Sequence, residues 1–192
     1  MKLFLDSPDF LSTVASETDK NVEAARAVTS GLTETQLNWQ PSAEQWSIAQ
    51  CLDHLTVATN EFEKYFEPAI QRAREKWPVT NSPRYKPSML GGWLAKQVSP
   101  EAPRRITAPK IFRPAVSNIP AALEKFVNQQ ARFLDFVRES TGIDYNKTRL
   151  RSPVTPLMRY SLADAFVITV LHGQRHLAQA RRVREMPQFP KV

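Results

Sequence analysis

Cysteine, glycine and histidine are all scarce in this chain. One cysteine among 192 residues, Cys51, excludes an internal disulfide framework and fits a reducing compartment. Five glycines, with few stretches that alternate apolar and polar residues, favour helices over sheets. Long apolar runs are missing too: no stretch approaches the roughly 18 uncharged residues of a membrane helix. The opening MKLFLDSPDF meets Asp6 after only Leu3, Phe4 and Leu5, too short for the apolar centre of a secretion signal. The expectation is a cytoplasmic protein without a membrane partner. Residues 1–192 should form a single domain, long enough to bury a sizeable core.

What the chain does contain is helical patterning. A first helix is expected from about Ser7 to Ser30, with Pro8 in its first position after a serine cap and Gly31 as its stop. A connector over 33–46 contains Pro41. Ser47 then opens a second helix, with Gln50 as its capping-box partner. It runs to Trp77, with a kink expected at Pro68. A third helix spans about Pro120–Thr141, closed by Gly142. After another proline-containing connector, Ser161 caps a fourth, with Asp164 in its first turn and an end near Glu185. Four amphipathic helices of this length predict an all-α fold, a four-helix bundle. The connector between the second and third is long enough to cross the bundle. Those two could then run parallel, and the second and fourth antiparallel.

Positive charge and proline are plentiful, and both are concentrated. The chain's net charge is +7 and it has 15 prolines. Residues 72–113 hold Arg72, Arg74, Lys76, Arg84, Lys86, Lys96, Arg104, Arg105, Lys110 and Arg113 against only Glu75 and Glu101. This segment outweighs the charge of the whole chain. Many of the prolines crowd into the same region, so 78–117 reads as a basic, proline-rich excursion with a short helix around Met89–Gln97. Trp77, Tyr85, Trp93 and Phe112 supply aromatics within it. An acidic ligand, the carboxylates of a thiol cofactor or a nucleic acid would suit such charge. No nucleic-acid motif accompanies it, so nucleic acid is disfavoured and a solvated loop over the bundle end is the plainer expectation.

The three histidines, His54, His172 and His176, are the sharpest chemical signal. His172 and His176 lie about 40° apart on one face of the fourth helix. His54 borders an apolar face of the second helix, with Cys51, Leu55, Ala58, Phe62 and Tyr65. Counted from the helix ends at 1.5 Å per residue, His54 and His176 stand at similar heights if the two helices are antiparallel. Three imidazoles converging there would cap a divalent cation and leave it an open position. The pair's spacing alone is weak evidence, because most such histidines bind nothing. It is not a zincin motif, since Gly173 stands where a glutamate would be needed.

QWSIAQCLDHL (45–55), HGQRHLAQ (172–179) and the ending MPQFP (186–190) resemble, in order and spacing, the DinB-like (YfiT-like) superfamily of metalloenzymes. The resemblance implies a four-helix bundle of up-down-down-up topology. It also implies a metal ion, zinc or nickel, on His54, His172 and His176. Gln50 stands where an acidic residue is often found, which leaves a general base unassigned. Activities in the family include thiol S-transfer with bacillithiol and hydrolysis, so a small-molecule substrate and a low-molecular-weight thiol are expected. Homodimers are also expected.

Around that centre, Gln50, Glu61 and Gln179 are candidates to support a ligand by hydrogen bonding. Glu61 is more simply a solvated helix-face residue. Arg175 is a candidate substrate contact, although it and Arg182 fall toward the expected solvent side. Cys51 is expected to pack in the core. Trp46 is expected to staple the start of the second helix. The competing view is a non-catalytic binding or stress-response protein that uses the basic excursion for an anionic partner.

Overall fold

The computed structural model describes residues 1–102, 107–115, 118–155 and 157–191. Their elements in chain order are α1 (Lys2–Asp6), α2 (Phe10–Thr29), α3 (Glu34–Asn38), α4 (Ile48–Lys76) and α5 (Met89–Val98). A single 3-10 turn (Lys110–Phe112), α6 (Ala122–Glu139), β1 (Arg149–Arg151), β2 (Arg159–Ser161) and α7 (Leu162–Arg184) follow. Among the described residues, α2, α4, α6 and α7 are the long helices, and they pack against one another. None is long and apolar enough to cross a membrane.

Local sequence sets most of the helix starts. Ser47 and Gln50 form the expected capping box of α4, and Ser161 and Asp164 that of α7. Each box satisfies two backbone donors that a helix start leaves orphaned. The start of α2 differs from expectation. Asp9, not Ser7, is its cap: the carboxylate accepts from Ser12 N at 3.1 Å and Ser12 Oγ at 2.7 Å. The Ser7 hydroxyl is engaged instead with Asp9 O and Thr13. α4 continues through Pro68 to Lys76. At Gly31 and Gly142 the chain turns off its helices with φ of +72° and +81°, a backbone state glycine reaches without strain.

The fold is mostly helical rather than wholly so. The expected plain connector after α6 contains an antiparallel hairpin pairing Leu150 with Tyr160. That ribbon is too short for its period to stand out in sequence. α1 and α3 were likewise not foreseen, being single turns carried by their packing.

Two apolar clusters fill the interior. In one, Phe66, Phe133 and Phe166 meet edge to face, with ring centroids 5.5 Å apart for Phe66–Phe166 and Phe133–Phe166. Burying each ring contributes about 1.5–3 kcal/mol, and the edge contacts add roughly 0.5–1.5 kcal/mol. In the other, Ile48, Leu52, Phe126 and Leu177 come together.

Several polar contacts record which parts of the helices lie side by side. Gln129 donates to Glu63 at 2.8 Å, and Arg74 to Glu139 O at 3.1 Å. Gln174 donates to Glu17 at 2.8 Å, and Arg184 to Ala27 O at 2.9 Å. Gly173 lies where the Asn21 side chain of α2 packs onto α7: a Cβ there would sit 2.5 Å from Asn21 Nδ2. That close contact accounts for glycine in place of a larger residue.

The basic excursion is anchored at both ends, which the expectation of a solvated loop did not include. Asp164, fully buried at the start of α7, accepts from Tyr85 Oη at 2.8 Å and from Ser88 N at 3.3 Å. Gly91 packs directly on that carboxylate. At the far end, Ala115 N donates to Asp53 at 2.9 Å, and Gln50 donates to Ala115 O at 3.1 Å. Arg104 and Arg105 lie outside the described residues.

Candidate metal centre

His54 comes from the first turns of α4 and His172 and His176 from the second half of α7. Their rings form a nearly equilateral triangle, with centroids 4.8, 4.6 and 4.6 Å apart. One ligating nitrogen from each ring lies within 4.8 Å of the other two.

The outward nitrogens fix where the protons sit. His54 Nδ1 faces the Phe112 carbonyl at 2.6 Å, and His176 Nδ1 faces Gln179 Oε1 at 3.1 Å. Both oxygens only accept, so each neutral ring carries its proton on Nδ1 and turns the Nε2 lone pair inward. His54 Nε2 and His172 Nε2 are 3.0 Å apart. With a lone pair on one side, that contact needs either a proton on His172 or a cation shared between the rings.

Burial reinforces the neutral state. It lowers the pKa of His54, against the opposing pull of the Phe112 carbonyl and Asp53. Burial and the two neighbouring imidazoles hold His172 well below its ordinary value. Burial first, then His54, pushes His176 down to about 3. All three rings are therefore uncharged at neutral pH, the form that donates to a metal. The donor set fits a divalent transition-metal ion: borderline-soft nitrogens, converging, neutral, and already oriented by hydrogen bonds.

The surroundings correct several expectations. Trp46 packs against the core cluster at the start of α4, as expected of a staple, but it does more than that. Its ring lies 4.7 Å from that of His54 and 5.5 Å from that of His176, walling the triangle. Gln50 bonds Ser47 N, Gln40 and Ala115 O; it secures the strand of chain beside His54 rather than a ring. Glu61 pairs with Lys64 at 2.6 Å. Cys51 is fully buried, and desolvation raises its thiol to about 12, so it packs and does not ligate. Arg175 and Arg182 line a cavity: Arg175 is half-buried and donates to Ser99 O at 3.0 Å, while Arg182 remains exposed at its edge.

That cavity has a volume of about 920 Å³ and opens beside the triangle. The excursion makes much of its wall, through Trp93, Val98 and Phe112. Sequence reasoning missed the Phe112 carbonyl, Asp53 and Trp46. A backbone oxygen 58 residues from its histidine leaves no mark in the sequence. The direction in which Trp46 points from the helix start cannot be read there either.

Comparison with known proteins agrees with this fold. The chain is similar in structure to YfiT from Bacillus subtilis, described as "a probable metal-dependent hydrolase with an unusual four-helix bundle topology". That likeness has a TM-score of 0.58 at 14% identity and covers 93% of this chain and 87% of that one. No curated protein matches in sequence. The family model of the DinB superfamily matches residues 17–180, most of the chain: the protein belongs to the DinB superfamily.

Proposed function

We propose that residues 1–192 form one DinB-type domain that works as a metal-dependent enzyme on a small molecule, with His54, His172 and His176 as the ligands. Zinc and nickel are the leading ions. The observation that carries this is the pair of inward Nε2 lone pairs enforced by the Phe112 carbonyl and Gln179. The bundle is read as up-down-down-up. In support, rising numbers in α4 meet falling numbers in α7 (His54 with His172, Phe66 with Phe166) and rising numbers in α6.

A divalent ion held there supplies a Lewis acid that lowers the pKa of a bound water or thiol and polarises a substrate oxygen. The chain's own residues do the rest. The Phe112 carbonyl and Gln179 hold the Nδ1 protons of His54 and His176, fixing ring orientation. Trp46 shields one side of the triangle from water. Arg175, held by Ser99, presents positive charge to the cavity.

Hydrolysis is the first reading, supported by the likeness to YfiT. Thiol transfer is the second, and one observation favours it. Among the described residues lining the cavity, the carboxylate is Glu44, exposed at the rim and bonded by Ser42. Asp53, the other carboxylate near the triangle, is not among the cavity-lining residues and accepts from Ala115 N, so among the described lining residues no further carboxylate is placed to take a proton from water. A thiol with an ordinary pKa near 8.5 needs none.

Elemental analysis of untagged protein, beside a His172→Ala, His176→Ala double variant, tests the centre. About one divalent ion per chain is expected in the parent, and loss of it in the variant. Equal metal in both removes the site. Turnover of ester and amide panels, with and without a small thiol, then separates the two reactions: dependence on the thiol selects transfer.

A further inference from the structure

The cavity follows α7 from Ile168 to Val183, roughly 22 Å of helix at 1.5 Å per residue. Its two ends differ chemically. Toward Ile168 the walls are Phe62 of α4, Trp93 and Leu94 of α5, and Tyr160 of β2. Trp93 is 54% exposed and Val154 48% exposed, so large apolar surfaces remain wet at the mouth, where a ligand would cover them. Further along α7 come Arg175 and Arg182, with Gln179 between them. His172 lies between these two chemistries, and His176 falls one turn further, between the two arginines.

We infer that this cavity takes a small molecule with an apolar, aromatic-bearing body and one anionic group, the body over Phe62, Tyr160 and Ile168 and the anion at Arg175 and Arg182. This names a substrate class for the proposed enzyme and rests on that reading only for what happens at the histidines. The lining supports it: Arg175 and Arg182 are both part of the wall, and the carboxylate among the described lining residues is Glu44, already bonded by Ser42. The volume is within the usual range for a small-molecule site, about 300–1,000 Å³.

The test is calorimetric titration of the full chain, stripped of metal, with phenylalkanoates of increasing length and the matching phenylalkanols and phenylalkylamines. Carboxylates should bind about ten-fold tighter than alcohols of equal length, and amines more weakly than either. Arg182→Gln, a change at an exposed position, should erase most of the carboxylate preference while leaving alcohol affinity alone. Trp93→Ala should weaken both series. Equal affinity for carboxylates and alcohols, preference for amines, or no binding in any series overturns the inference, and these comparisons need no variant. Stripped protein also separates the two ideas. A chain that holds no ion on elemental analysis yet selects carboxylates sinks the metal proposal and leaves this one. A chain that holds the ion without selecting them does the reverse.

Discussion

Acid should destabilise the metal-stripped protein in a window that belongs to its histidines. In the folded chain burial holds His176 down to about 3, against an ordinary value of 6.5. Between those values the unfolded chain binds a proton that the folded chain refuses. The stability this ring contributes is therefore complete above about pH 6.5 and is lost as pH falls toward the folded value. The slope approaches about 1.4 kcal/mol per pH unit, so His176 alone costs about 2 kcal/mol between pH 8 and 5. His172 and His54 are shifted in the same direction and add to the loss. Against a total stability of about 5–15 kcal/mol, the effect is easily measured. Urea unfolding followed by circular dichroism at pH 8, 7, 6 and 5 gives the slope directly. His176→Gln, which cannot take up a proton, should flatten it by about one proton's worth. If parent and variant lose stability equally across this range, the buried, neutral triangle is wrong. Added zinc should move the parent's acid transition downward, because protons must then displace the ion.

Asp53→Ala removes the acceptor that holds Ala115 N, loosening the chain that carries the Phe112 carbonyl. Metal affinity should fall about ten-fold or more with the helical spectrum intact, measured by competition with a chelating dye. Gly173→Ala places a Cβ 2.5 Å from Asn21 Nδ2, and thermal unfolding should report a loss of about 1–3 kcal/mol; a neutral result would mean that α2 and α7 part easily. Asp9→Ala should cost about 1 kcal/mol at pH 7 through the lost cap. Its bonds with Ser12 hold the Asp9 carboxyl below 3.8, so its stabilisation is present above that value. The penalty should vanish as pH falls through the folded pKa, seen when the variant and parent curves converge. If the basic excursion instead serves a non-catalytic role, binding to an anionic polymer should fall steeply with salt and ignore metal removal; binding unchanged by salt rejects it.

How much of this was legible beforehand depended on the range of each interaction. Ser47 with Gln50 and Ser161 with Asp164 close their rings within one turn, so residue type and spacing sufficed. Asp9 was overlooked because Ser7 and Pro8 imitate a helix start, and the choice went to the residue whose neighbours left its side chain available. Gln50 shows the limit of reading position alone. It sits one turn before His54, yet its amide is spent on the cap and on Ala115 O. Arg175 and Arg182 were assigned to solvent by the polarity of their helix face. Arg182 is indeed exposed, but the excursion reaches Arg175 through Ser99 O, and such a long-range contact leaves no periodic trace.

By itself, the sequence determined the long helices, the face shared by His172 and His176 and the family to which the chain belongs, because caps, helical periodicity and short motifs act over a few residues. Only the tertiary structure decided that His54 joins the other two, that the Phe112 carbonyl and Gln179 set their protons, and that the basic excursion walls a cavity with two arginines. Those features depend on which distant groups are brought within a few ångströms, and that is settled by packing rather than by any local pattern.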